Sequence, residues 1–339
     1  MTQKTHVGVL DLLRGFAALA VVFFHFSLPG GEMQHFYSST MLGLFRRGFL
    51  GVHVFFVISG FVIPLSLWDA GYTVRGFWAY MRRRVVRLLP PAYVALLLVL
   101  GQRLVVDVFV HQRLQALAGV TAGMVLSNLL FVAPYSGHSY INGVFWTLEV
   151  EMQYYLVLGL LFPLLFGEGR FGLFLLLHLA LVGASFWPGL YVQNYLHYSP
   201  LFAMGSATLL FYKGRLRRIP YLLTLLLFSG LTWATIHREQ AIVGMITALV
   251  IAFVKVDNSV FRFLGKISYS VYLTHILVGS TVNFLLFKLL PAASAAQSAG
   301  VVVLAVGASV GFAALFHHWV ERPFLQLSQR SRAKHNPAG

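Results

Sequence analysis

Ten residues separate Arg14 from His25, and both lie in DLLRGFAALAVVFFHF, a stretch otherwise apolar enough to be a membrane helix. Eleven steps of about 100° return to nearly the same azimuth, so the guanidinium and the imidazole share one helical face about 16 Å apart. Asp11 falls on the same stripe. Charged and titratable groups are costly at membrane depth and characteristically face a bundle interior or a wet cavity, which makes the stripe a candidate functional site. A second reading pairs Asp11 with Arg14 as an interfacial anchor and leaves His25 a satisfied core histidine.

Two further stretches carry reactive side chains. In FWTLEVEMQYY, Trp146, Glu149 and Glu151 open an apolar run, and the two carboxylates are about 200° apart on a helix, so only one readily faces a given cavity. Either one alternatively pairs with Arg46, Arg47 or Arg113 at the interface. In RRRVVRLLPPAY, Arg84 and Arg87 are three apart and Arg83 and Arg87 four apart, so at least two guanidiniums converge on one helical face, as phosphate recognition needs. The plainer explanation is a positive-inside cluster touching anionic lipid. GVHVFFVISGF places His53 and Ser59 in an aromatic helix whose Gly51, Ser59 and Gly60 by themselves indicate close packing.

The elements that position these residues follow from composition. A mean hydropathy of +0.76 with 58% hydrophobic and 10% charged residues excludes a soluble domain of 339 residues and implies an all-α polytopic membrane protein. The first apolar run lacks a small-residue cleavage pattern after it and is expected to be retained as a helix. With no cysteine, disulfides, thiolate metal sites and a cysteinyl acyl-enzyme are excluded. The net charge of +15 reports topology first; no basic tract is interleaved with aromatics outside the membrane segments, so nucleic acid is not an expected partner.

Apolar segments fall at 8–28, 48–68, 91–110, 115–134, 146–166, 171–187, 197–212, 219–236, 240–256, 267–290 and 299–320. Basic clusters at Arg75 and Arg82–Arg87, at Lys213–Arg218, at Lys255–Lys266 and after Arg322 should all be cytoplasmic. Eleven crossings would put the first two clusters on opposite sides. Removing 115–134, which Gly119 and Gly123 interrupt, aligns all four. The expected architecture is a bundle of about ten spanning helices plus one re-entrant or outer-surface segment, with both termini cytoplasmic. Residues 1–325 form one membrane domain and 326–339 a short, polar, disordered tail. In this topology His25 lies toward the outer leaflet and Arg14 in the inner half, and Glu149 and Glu151 enter from His25's side. An imidazole there can take a hydroxyl proton while a carboxylate fixes its tautomer. His275, about half way along the tenth apolar segment (267–290), lines the path or packs as a core histidine; Tyr269 and Tyr272 on that helix are potential donors read as packing.

The Arg-x10-His pair, GVHVFFVISGF at 51–61, the RxxR of Arg84–Arg87 followed by LLPPAY, FWTLEVEMQYY at 145–155, KISYSVYLTH at 266–275 and VERPF at 320–324 together resemble the acyltransferase 3 family of integral membrane acyltransferases, in order and spacing from about Leu10 to Phe324. The resemblance implies transfer of an acyl group, usually acetyl from acetyl-CoA, to a hydroxyl of a saccharide or glycoconjugate. It makes Arg14 and His25 the essential helix pair, assigns Arg84 and Arg87 to the cytoplasmic donor, and makes Glu151 the family's motif glutamate. His53 departs from the pattern, since many members have an acidic residue after Gly-Val there, and no SGNH-type domain accompanies the membrane part. The expected partners are acyl-CoA, the acceptor and the bilayer of the inner (plasma) membrane, with no bound cofactor and no metal. The competing classes are a proton-coupled transporter, against which no internal repeat or pair of correspondingly broken helices is found, and a non-catalytic partner in envelope biosynthesis.

Overall fold

The computed structural model describes residues 8–27, 39–109, 117–190, 193–289 and 294–333, and among them every regular element is helical. In chain order these are α1 (Gly8–Phe26), α2 (Ser39–Phe45), α3 (Leu50–Trp68), α4 (Phe77–Phe109), α5 (Ala122–Leu129), α6 (Phe145–Phe166), α7 (Phe171–Ala184), α8 (Tyr195–Tyr212), α9 (Arg218–Thr235), α10 (Arg238–Phe253), α11 (Ser259–Leu289), α12 (Ala295–Phe316) and α13 (Arg322–Ala333). Five helical stretches, Gly8–Phe26, Leu42–Trp68, Val74–Phe109, Phe145–Phe166 and Ala299–Gln329, are long and apolar enough to cross a bilayer. Only a backbone that satisfies its own hydrogen bonds can do so, which is why an apolar chain of this length is helical nearly throughout. The molecule is a helical membrane protein.

Three stretches bear on the expectation in detail. The segment 115–134 contains one described helix, α5, whose eight residues rise about 12 Å against a hydrocarbon core of about 30 Å. Thr121 caps it by accepting from Met124 N, and the Asn128 side chain ties the returning chain by donating to Ser139 O and accepting from Ile141 N. Arg113 lies outside the described residues. Helix α4 starts at Phe77 and runs through Pro90 and Pro91, so it begins well before the apolar segment expected from 91, and Arg82–Arg87 lie on that same helix. Residues 326–333, expected as part of a disordered tail, continue α13 to Ala333; half-buried Phe324 and Leu325 and buried Ser328 give this polar sequence a covered face. Residues 334–339 lie outside the described residues.

The chain divides into two compact units, one of residues 1–20, 49–81 and 150–268, the other of residues 21–48, 82–149 and 269–339. The first is organised around α8, which packs against α3, α7, α9 and α10. Gly60 on α3 and Gly205 on α8 let the two backbones touch: a Cβ at either would collide with the carbonyl oxygen of Phe202 or Val57. Ser206 then donates to Gly60 O at 3.1 Å, closing the crossing with a polar bond. Gly265 on α11 serves the same purpose against the backbone of Asp11 on α1.

The second unit is tied to α11 on several sides. Tyr269 OH donates to Leu88 O on α4 at 2.8 Å, and the Gln102 amide, also on α4, donates to Leu277 O, Ser280 Oγ and Thr281 Oγ1. Asn142 donates to Leu273 O at 3.2 Å, and Thr147 Oγ1 and Tyr272 OH are 2.6 Å apart. Phe26 of α1 lies over Gly279, where any side chain would displace it. Without water to compete, such bonds set rotation and register, and they do so here for the helix that carries His275.

Candidate active site

His25, in the last turn of α1, meets His275 of α11 within the second unit. Its Nδ1 is 3.0 Å from Val21 O and 3.1 Å from His275 Nε2. The His275 Nδ1 is 3.0 Å from Val271 O, and that ring is 0% exposed. The protons can be assigned from these partners. A carbonyl only accepts, so the proton of neutral His275 is on Nδ1 and its Nε2 offers a lone pair. His25 Nδ1 faces two acceptors, Val21 O and His275 Nε2, so it carries the proton of its own ring. The lone pair of His25 therefore sits on Nε2, which has no hydrogen-bond partner among the described residues. An imidazole with its tautomer fixed by one neighbour and its other nitrogen unengaged is a poised general base.

The orienting group expected for His25 was a carboxylate; the group found is the His275 imidazole. Of the two α6 carboxylates, the one in His25's unit is Glu149. It is 1% exposed and accepts from Tyr140 OH at 2.8 Å, while its Oε1 has no partner among the described residues. The expectation of a solvated interfacial Glu149 is therefore corrected: it is buried, and among the described residues its partner is Tyr140 from the loop before α6 and not Arg46 or Arg47, while Arg113 lies outside the described residues. Trp146, one turn earlier, is half-buried.

Glu151 belongs to the other unit. Its Oε1 accepts from Tyr155 OH at 2.6 Å and from Ser59 Oγ at 3.3 Å. The two carboxylates thus face different surroundings, as their 200° separation on an unbroken α6 requires. Ser59 is more than a packing residue, since its hydroxyl is spent on Glu151. His53, 1.5 turns or so earlier on α3, is buried edge-on among Phe49, Phe56 and Tyr198. Arg14 and Asp11 lie on α1 with His25, both half-buried.

Arg84 and Arg87 occupy the second unit on α4. Arg84 is 9% exposed, whereas its neighbour Arg82 is exposed. A cluster serving topology alone would leave its guanidiniums in water or headgroups; Arg84 has left both. Tyr269, a potential donor read as packing, gives its hydroxyl to Leu88 O, beside this arginine turn.

Sequence reasoning missed a third polar group. Ser270, His317 and Glu321 form a buried cluster in the second unit, with Ser270 Oγ donating to Glu321 Oε2 at 2.6 Å and His317 Nδ1 2.8 Å from the same oxygen. Its only signal was the position of Glu321 inside VERPF and of Ser270 inside KISYSVYLTH.

A helical membrane bundle with a tautomer-fixed imidazole, a buried Arg84 and a half-buried Arg87 is an architecture for chemistry on a polar substrate within a bilayer. The family model described as an acyltransferase domain matches residues 7–318, and the chain belongs to the acyltransferase 3 family. It is 28% identical over 171 residues to the peptidoglycan O-acetyltransferase OatA of Listeria monocytogenes, a match covering 46% of this chain and 24% of that protein. It is 29% identical over 178 residues to the O-acetyltransferase OatA of Staphylococcus aureus, covering 48% of this chain and 25% of that one. ORF330 of Acidianus two-tailed virus, named provisionally as an acetyltransferase, is 26% identical across 96% of this chain and 94% of its own. The matches to the two OatA proteins span about a quarter of those proteins' length. No solved structure matches the chain.

Proposed function

We propose that the protein transfers an acyl group, most simply acetyl, from cytoplasmic acyl-CoA to a hydroxyl of a saccharide or glycoconjugate, with His25 Nε2 as the general base. The observation that carries this reading is the His25–His275 contact, which leaves a lone pair on His25 Nε2. As the acceptor oxygen bonds to the acyl carbon, its proton passes to Nε2 and the carbon–sulfur bond breaks toward sulfur. His275 touches no reacting atom in this scheme; it positions His25. The buried Arg84 with Arg87 supports recognition of the donor's phosphates, because guanidiniums bind phosphate through paired, charge-assisted bonds. Arg14 is assigned to the donor side by its place toward the α1 end that the basic clusters mark as cytoplasmic. A saccharide acceptor is favoured by the names of the OatA relatives, one of which specifies peptidoglycan. The proposed topology has ten crossings in the plasma membrane with both termini inside. It rests on the alignment of the four basic clusters and on the shortness of α5.

The test is direct. Protein purified into lipid nanodiscs is given acetyl-labelled acetyl-CoA and an oligosaccharide acceptor, and free thiol and labelled product are followed. Release of thiol with stoichiometric ester formation supports the reading. Binding or counterflow of saccharide without thiol release would make the protein a carrier instead.

A further inference from the structure

The cluster of Ser270, Glu321 and His317 stands apart from the His25–His275 contact and is not used by the scheme above. We propose that His317, held by Glu321, is the general acid that protonates the departing sulfur of the donor thioester. The inference rests on the acyl-transfer reading and assigns a second catalytic residue to it.

Glu321 and His317 are each 5% exposed. Their ion pair, from His317 Nδ1 to Glu321 Oε2 at 2.8 Å, is the only one that either residue makes among the described residues. A buried carboxylate without a cation is costly, and the proposal gives the pair one further proton; whether that proton sits on the carboxyl or on the ring, Nε2 then bears an N–H. Ser270 Oγ supplies a further bond to the same oxygen. His317 Nε2 is buried and has no partner among the described residues. Leaving such a donor unmet is costly, so a buried orphan of this kind marks a place where a ligand atom belongs.

Two features of the backbone agree. Residues His317–Glu321 form a single π-turn between α12 and α13, an interruption that recurs at functional sites because it displaces side chains from the regular helical lattice. The cluster is also linked along the chain to the candidate donor helix: Ser270 follows Tyr269 on α11, whose hydroxyl meets Leu88 O, and Leu88 follows Arg87 on α4. The group that leaves a thioester is a basic thiolate, and a proton delivered as the carbon–sulfur bond breaks lowers that barrier. The step balances. The hydroxyl proton goes to His25 Nε2, the carbon–sulfur electron pair goes to sulfur, and the Nε2 proton of His317 joins it to give the thiol. The enzyme resets when His25 loses a proton to water and His317 regains one.

The experiment compares acetyl-CoA with acetyl-selenocoenzyme A, which keeps every recognition element but releases a selenolate that needs no protonation. At matched yield of folded protein, His317→Gln is expected to lose about 10²–10⁴ in transfer rate with the thioester and less than about threefold with the selenoester. Glu321→Gln keeps a side chain able to accept from Ser270 but removes the charge that holds the imidazolium; it is expected to show the same donor dependence at smaller size, and it carries the test if His317→Gln fails to insert. Equal losses with both donors would make the cluster structural, and no loss with either would mean that His25 returns its own proton to sulfur; both outcomes overturn the proposal. If wild-type protein releases thiol from neither donor, the acyl-transfer reading itself has failed, which is a distinguishable result.

Discussion

Two imidazoles on the second unit are held alike and left unlike. His25 and His317 each have Nδ1 engaged and no partner on Nε2. The neighbour of His25 is a neutral imidazole whose own proton is tied to Val271 O, so the spare nitrogen of His25 is a lone pair. The neighbour of His317 is a buried carboxylate, and in the proposed reading the pair holds one further proton that neutralises it, which makes the spare nitrogen a donor. One side-chain type thereby supplies a base and an acid, and the partner decides which. Enzymes that need both at neutral pH commonly separate them in this way, by environment and not by residue type.

The largest expected effect tests the base. His25→Ala should lower transfer by about 10²–10⁴ while leaving membrane insertion and thermal melting near wild type. Retention of more than about a tenth of the wild-type rate would make His25 a packing residue and dissolve the comparison. Next comes the arginine turn. Arg84→Ala should raise the apparent requirement for acyl-CoA about tenfold to hundredfold, corresponding to about 1.5–3 kcal/mol for a charge-assisted bond, with lysine restoring only part of it. Arg82→Ala, on the exposed side of the same turn, should leave donor dependence unchanged. Matching shifts at both positions would return the cluster to a topological role.

A smaller effect sharpens the roles of the two rings. His275→Leu removes one of the two acceptors for His25 Nδ1 and leaves only Val21 O, and should slow transfer about tenfold with little change in the KM for either substrate. His275→Gln, which can place an oxygen near the lost Nε2, should recover part of the rate. A loss as large as that of His25→Ala would mean that His275 touches substrate itself. The smallest effects belong to the α6 carboxylates. Glu151→Gln keeps an oxygen that Ser59 and Tyr155 can donate to, so its loss reports charge alone and should be about tenfold; Glu149→Gln, whose Tyr140 bond survives, should cost less than about threefold. Initial rates at matched protein level decide the order, and the reverse order would move the functional carboxylate to His25's own unit.

Much of the frame was legible because membrane helices are written locally. About twenty apolar residues make a helix wherever they stand, and the stripe of Asp11, Arg14 and His25 could be read from periodicity alone. The weakness of 115–134 was visible in its glycines, and the structure gives it only eight helical residues. The starts of α4 and α11 were placed too late, because charged residues at the ends of these helices lower hydropathy without breaking the helix.

The site was legible one residue at a time and not as an arrangement. From the chain alone come the helical class, the position of His25 and Arg84 on their own helices, the opposition of Glu149 and Glu151, and the motifs of the family. Which neighbour each residue meets depends on helix rotation and register, and these are set by contacts between segments far apart in sequence. His25 meets His275 across 250 residues, Tyr269 meets Leu88 across 181, and Ser270 meets Glu321 across 51. No periodicity encodes such pairings. Close packing, glycine crossings and buried polar bonds select one rotation among many that the same apolar faces would allow, and only that selection gives His25 an imidazole, and His317 a carboxylate, for a partner.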